Sequence, residues 1–121
     1  KCGLLAYNGT PKANEGLYAA AYLAGKWGID LHVLTIEHAD ISAEAMLDEA
    51  KHYLAESQIE AHYHLHETGD RADILLDFAR QYACDFIIIG GYKARPLVEV
   101  VLGSVVDEVL RRTEIPLLIC R

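Results

Sequence analysis

Segment 90–104 gathers residue types that suit a phosphate. It opens Gly90-Gly91, carries Lys93 and Arg95, and ends Gly103-Ser104 where a helical pattern begins. A helix start presents unpaired N–H groups and the positive end of the backbone dipole. A lysine ammonium adds a point charge, and an arginine guanidinium a planar fork. The competing reading is plain capping, since Ser104 followed by Asp107 forms a short capping box. About a dozen residues separate strand from helix here, and long loops in compact domains are often functional. A second polar turn, Asn8-Gly9-Thr10-Pro11, follows the first apolar run. Asn8 offers both a side-chain acceptor and a donor.

Two further groups of residues could carry chemistry. His62, His64 and His66 alternate and so share one face of a strand, and with His32 or His38 they could hold zinc or copper. The same alternation beside Ala61, Tyr63 and Leu65 describes a half-exposed edge strand. No Cys or carboxylate stands at zinc-site spacing, so no metal is expected. Cys2, Cys84 and Cys120 are odd in number and lack ligand spacing. They read as reduced, small buried hydrophobes in a cytoplasmic protein, without a nucleophile among them.

Catalysis has little to build on. The sequence has no G-x4-G-K-[S/T] phosphate loop and no G-x-S-x-G elbow. No acidic pair follows the first strand to hold magnesium. Glu99 and Asp107 are near the long loop only in sequence, so no catalytic residue is assigned and the chain is not expected to be an enzyme.

The elements that must position these residues alternate along the chain. Strands are expected at 3–7, 31–36, 59–66, 85–89 and 116–120. Between them lie four helices. The first carries a stripe of Leu17, Ala20, Ala21, Ala24 and Trp27 and ends at Gly28. The second is capped by Ser42, with Met46, Leu47, Ala50, Tyr53 and Leu54 on its apolar side. The third is capped by Asp70, with Ile74, Leu75, Phe78, Ala79 and Tyr82 facing inward. The fourth starts near Gly103-Ser104. This βα alternation implies one doubly wound α/β domain over 1–121, with a parallel sheet covered on both faces. The Asp85–Ile89 strand, the most apolar, is expected to be central.

Composition agrees. At 121 residues with 52% apolar, the chain can bury a core without disulfides. No apolar run reaches the about 18–20 residues of a membrane span. A net charge of −7 argues against nucleic acid, although Lys12, Lys93 and Arg95 would gather at the phosphate end, where local field outweighs global charge. The start at Lys1 rather than Met suggests half of a tandem protein or a trimmed domain.

The sequence resembles the universal stress protein family over nearly its whole length. Asn8-Gly9-Thr10 stands where the family has an Asp-Gly-Ser-like turn, and Gly69-Asp70-Arg71 where it has Gly-Asp-Pro. Ile88-Ile89-Gly90 matches its Val-Val-Gly strand end, and 105–120 its closing helix and strand. Its nucleotide motif G-x2-G-x9-G-[S/T] aligns on Gly90, on Lys93 in place of the second glycine, and on Gly103-Ser104. The resemblance implies strand order 3-2-1-4-5 and an adenine nucleotide, ATP or AMP, held between the first-strand turn, the second strand's end and the glycine-rich loop. Asn8, Gly9 and Thr10 would meet the nucleotide from the turn, and Leu34 or Thr35 would offer backbone groups to the base. Gly90, Gly103 and Ser104 would hold ribose and phosphates, with Lys93 and Arg95 beside them.

Two departures bear on that site. Asn8 lacks the charge of the family's Asp, and Lys93 adds a side chain where glycine allows close backbone approach. The expected function is therefore a stress-response regulatory module binding ATP or AMP. The alternative is a nucleotide-free interaction domain with a degenerate pocket. The last strand, Leu117-Leu118-Ile119-Cys120, would be an apolar sheet edge, which the family pairs across a two-fold axis or between tandem domains. A homodimer or tandem pairing is expected through it.

Overall fold

Strands and helices alternate without exception through the described residues: β1 (Cys2–Ala6), α1 (Pro11–Trp27), β2 (Asp30–Ile36), α2 (Ala43–Glu56), β3 (Ala61–His66), α3 (Arg71–Gln81), β4 (Phe86–Gly90), α4 (Val105–Arg112) and β5 (Leu117–Cys120). The computed structural model describes residues 1–9, 11–37, 42–90 and 105–120.

Local chemistry sets several boundaries. Pro11 opens α1, where its missing N–H costs nothing and its fixed φ suits the helix. Gly28 closes that helix at φ +63, donating its N–H to the Ala24 carbonyl at 2.9 Å. Ser42 caps α2 by accepting from the Ala45 N–H at 3.2 Å. Asp70 caps α3 by accepting from the Asp73 N–H at 2.9 Å. Both caps are the residues that the sequence marks.

The five strands form one parallel sheet in the order β3-β2-β1-β4-β5, as the resemblance implies. Successive side chains of a strand point to opposite faces, so neighbours feed different cores. Leu5, Val33 and Ile88 pack with Leu17, Ala20 and Ala21 of α1 and with Met46, Ala50 and Leu54 of α2. Leu4, Leu34, Ile87 and Ile89 pack on the other face with Ala72, Leu75 and Ala79 of α3 and with Val106 and Val109 of α4. The strand at Phe86–Gly90 is interior, flanked by β1 and β5, while β1 is the middle strand.

Two expectations need correction. Trp27 is not on the buried stripe of α1; as the last residue of the helix it is 66% exposed. In β3 the histidine face is open only at its start, where His62 is exposed. His64 and His66 lie half-buried beneath Phe78, and Tyr82 packs on His64, whereas Leu65 on the opposite face is 51% exposed. The α3 aromatics roof that side of the strand.

Candidate functional site

Strand order reverses beside β1. The chain leaves β1 for β2 on one side and returns through β4 on the other, so a crevice opens at their carboxyl ends. Register brings Ala6 opposite Ile89, which sets Tyr7, Asn8 and Gly9 at the same end of the sheet as Gly90.

The turn after β1 is held by backbone and one hydroxyl. Tyr7 donates its N–H to the Leu34 carbonyl at 3.0 Å. Thr35, wholly buried, donates its hydroxyl to the Tyr7 carbonyl at 2.9 Å. The Tyr7 phenol in turn donates to Asn14 Oδ1 at 2.7 Å, which joins the turn to α1. Burial, and then the Glu49 charge, push the phenol's pKa above its ordinary value, so it stays a donor. Leu34 and Thr35 are both buried, and their side chains serve the frame of the crevice.

Gly9 takes φ +75, a conformation that favours glycine. A Cβ there would sit 2.9 Å from Met46 Sδ, so the turn lies directly on α2. Gly16 plays a related part on α1: its Cβ would come 3.3 Å from Leu5 Cδ1 and 3.9 Å from the Gly90 N. The first turns of α1 thus run close over the ends of β1 and β4. Sequence reading missed Gly16, whose signal was a glycine inside a helical stripe.

Of the ten residues expected at the site, the structure brings together Asn8, Gly9, Leu34, Thr35 and Gly90 around the crevice. Asn8 is exposed there. Thr10, Lys93, Arg95, Gly103 and Ser104 lie outside the described residues, as do His38 and Glu99.

At the opposite end of the sheet, a second group assembles on the face under α3. Cys2 Sγ is 3.0 Å from Cys84 Sγ, and His32 Nδ1 is 2.9 Å from His64 Nε2. His62 Nε2 is 2.9 Å from Asp30 Oδ1. Burial, reinforced by neighbouring imidazoles, lowers the pKa of both His32 and His64. Burial pushes the Cys84 thiol far up. The sequence already sets His62 and His64 beside His32; Cys2, Asp30 and Cys84 join them only through strand order.

A doubly wound parallel sheet with its reversal between β1 and β4 defines an open α/β domain whose crevice lies at the carboxyl ends of those strands. The model of the universal stress protein family matches residues 4–121, and the chain belongs to that family. No curated protein matches the chain by sequence. Among solved structures, it is similar to a universal stress protein in complex with cAMP, with a TM-score of 0.87 at 19% identity, covering 100% of this chain and 96% of that one. A universal stress protein from Archaeoglobus fulgidus in complex with dAMP gives a TM-score of 0.78 at 22% identity, over 99% and 96% of the two chains. Another, from Archaeoglobus fulgidus DSM 4304, gives 0.84 at 23% identity; 99% of this chain covers 43% of that one. At such identities these likenesses speak to the fold.

Proposed function

We propose that the chain is a non-enzymatic regulatory domain of the stress response that takes an adenine nucleotide, ATP or AMP, in the crevice between β1 and β4. The observation that carries this reading is the first-strand turn. Gly9 at φ +75 and the buried Thr35 hydroxyl hold the backbone of residues 7–9 at the switch point. That is where open parallel sheets receive ligands. Family membership and relatives solved with cAMP and dAMP support an adenine ligand. Lys93 and Arg95 would meet the phosphates, and Asn8 the adenosine end. Within the described residues no helix is long and apolar enough to cross a membrane.

Isothermal titration with ATP and with AMP tests the reading. Saturable heat and a matching rise in melting temperature support it. Absence of both at millimolar nucleotide overturns it and leaves the nucleotide-free interaction domain. One observation favours that second reading: β5 forms one edge of the sheet, with Leu118 41% exposed. Pairing of two such edges, in a homodimer or between tandem domains, is part of either proposal.

A further inference from the structure

We propose that Cys2 Sγ, the Asp30 carboxylate and His32 Nε2 form a zinc site at the amino end of the sheet, remote from the crevice. The three donors come from the starts of β1 and β2, adjacent parallel strands in which Cys2 pairs with Asp30 and Leu4 with His32. Their ligand atoms all lie within 4.8 Å of one another, and His32 Nε2 is 3.7 Å from Asp30 Oδ2. Zinc bonds to sulfur, nitrogen and oxygen set donors roughly 3.3–3.8 Å apart in a tetrahedron, so small side-chain rotations close the site. A thiol, an imidazole and a carboxylate together suit zinc rather than magnesium or calcium, which take oxygen alone.

The surroundings are those of a supported metal site. His32 is buried, its ring stacked on His62 and packed at a tilt against Tyr82. Its Nδ1 contacts His64 Nε2 at 2.9 Å. With Nδ1–H donating to His64, the Nε2 lone pair is left free for a metal shared with Cys2 and Asp30. A ligating histidine ordinarily gives its other N–H to such an acceptor, which fixes tautomer and ring. His62 Nε2 holds Asp30 Oδ1 at 2.9 Å and leaves Oδ2 toward His32. The Cys84 thiol, 3.0 Å from Cys2 Sγ, donates to the sulfur that loses its proton. On binding, the Cys2 proton passes to solvent, and thiolate plus carboxylate balance the two charges of zinc. The fourth position falls to water.

The test uses the full chain, reduced and stripped with a chelator, then titrated with cobalt(II) as a spectroscopic stand-in and with zinc(II). The expected result is one cobalt per chain, with a near-ultraviolet thiolate-to-cobalt band and the visible bands of a tetrahedral site, all abolished by zinc. Cys2→Ser should remove the charge-transfer band. His64→Gln, which touches no metal, should weaken zinc by about 10–100-fold. His52→Gln, on exposed α2, should change nothing. A folded wild-type chain without the thiolate band overturns the proposal, as does a band that survives Cys2→Ser. The wild-type spectrum decides even if a buried variant fails to fold.

Discussion

The buried hydroxyl of Thr35 donates to the carbonyl of Tyr7 at 2.9 Å, tying β2 to the first residue beyond β1. The Tyr7 carbonyl lies where the strand has ended, so this hydroxyl stands in for a lost ladder partner. Thr35→Val keeps the shape and removes the donor, leaving a buried acceptor unsatisfied. Such a loss costs about 1–3 kcal/mol. Urea unfolding should therefore show a lower midpoint with an unchanged m-value, because the surface exposed on unfolding is the same. Thr35→Ser keeps the hydroxyl and should separate its part from that of the methyl group. Nucleotide affinity should fall in Thr35→Val and recover in Thr35→Ser.

Gly9 and Met46 allow the turn's two constraints to be divided. A side chain at φ +75 costs about 1–2 kcal/mol whatever surrounds it. The Cβ would also approach Met46 Sδ at 2.9 Å and Met46 Cγ at 3.1 Å. The sulfur can swing aside, and the Cγ can do so less. Gly9→Ala should destabilise the fold and displace the turn from the crevice. Combined with Met46→Ala, the steric part should disappear as a favourable coupling while the backbone part remains. A double-mutant cycle by denaturant melts measures the split, and strict additivity would show that Met46 yields freely.

How far the sequence prefigured the molecule depends on the range of the physics involved. The helix caps Ser42 and Asp70 were legible because a cap is a contract between residues three apart. The parallel, doubly wound sheet followed from βα alternation, whereas its strand order came only with the family resemblance. The burial of β3 was not legible, since alternation fixes a period but not which face is covered. Phe78 and Tyr82, from a helix further along the chain, decide that. Trp27 fits the helical period yet is exposed at the helix's last residue, because the period says nothing about where along the helix burial ends. Cys2 and Cys84 meet only because β1 and the approach to β4 are adjacent; Asp85 donates its N–H to the Cys2 carbonyl at 2.7 Å. At the crevice, Asn8, Gly9 and Gly90 were readable as motif elements. The framing roles of Tyr7, Asn14 and Gly16 came from contacts across the sheet and α1.

Asp70 offers a test of a local device in isolation. Its carboxylate accepts from the Asp73 N–H at 2.9 Å at the start of α3. Replacing such a cap by alanine typically costs about 1 kcal/mol, while asparagine and serine preserve the acceptor. Asp70→Ala should lower the melting temperature, and Asp70→Ser or Asp70→Asn should restore most of the loss. Because α3 roofs the histidine face, hydrogen exchange at the first turn of α3 should quicken in Asp70→Ala. The amides of β4 should keep their protection, since Ile87 and Ile88 are wholly buried.

The outer edge of β5 gives the sharpest test of assembly. Ile87 donates its N–H to the Pro116 carbonyl at 3.0 Å. In a parallel ladder this phase turns the Leu118 backbone groups toward β4 and those of Leu117 and Ile119 outward. The outward N–H groups are what a second edge would use, by pairing as an added strand. Proline at an outward position removes one donor without breaking a bond to β4. If two chains pair through this edge as proposed, the wild type should sediment as a dimer and Ile119→Pro as a monomer in analytical ultracentrifugation, while the far-ultraviolet spectrum stays native. Leu118→Pro strikes the β4 side and should destabilise the fold itself. If Ile119→Pro leaves a folded dimer intact, association runs through another surface, and the edge of β5 has no part in it.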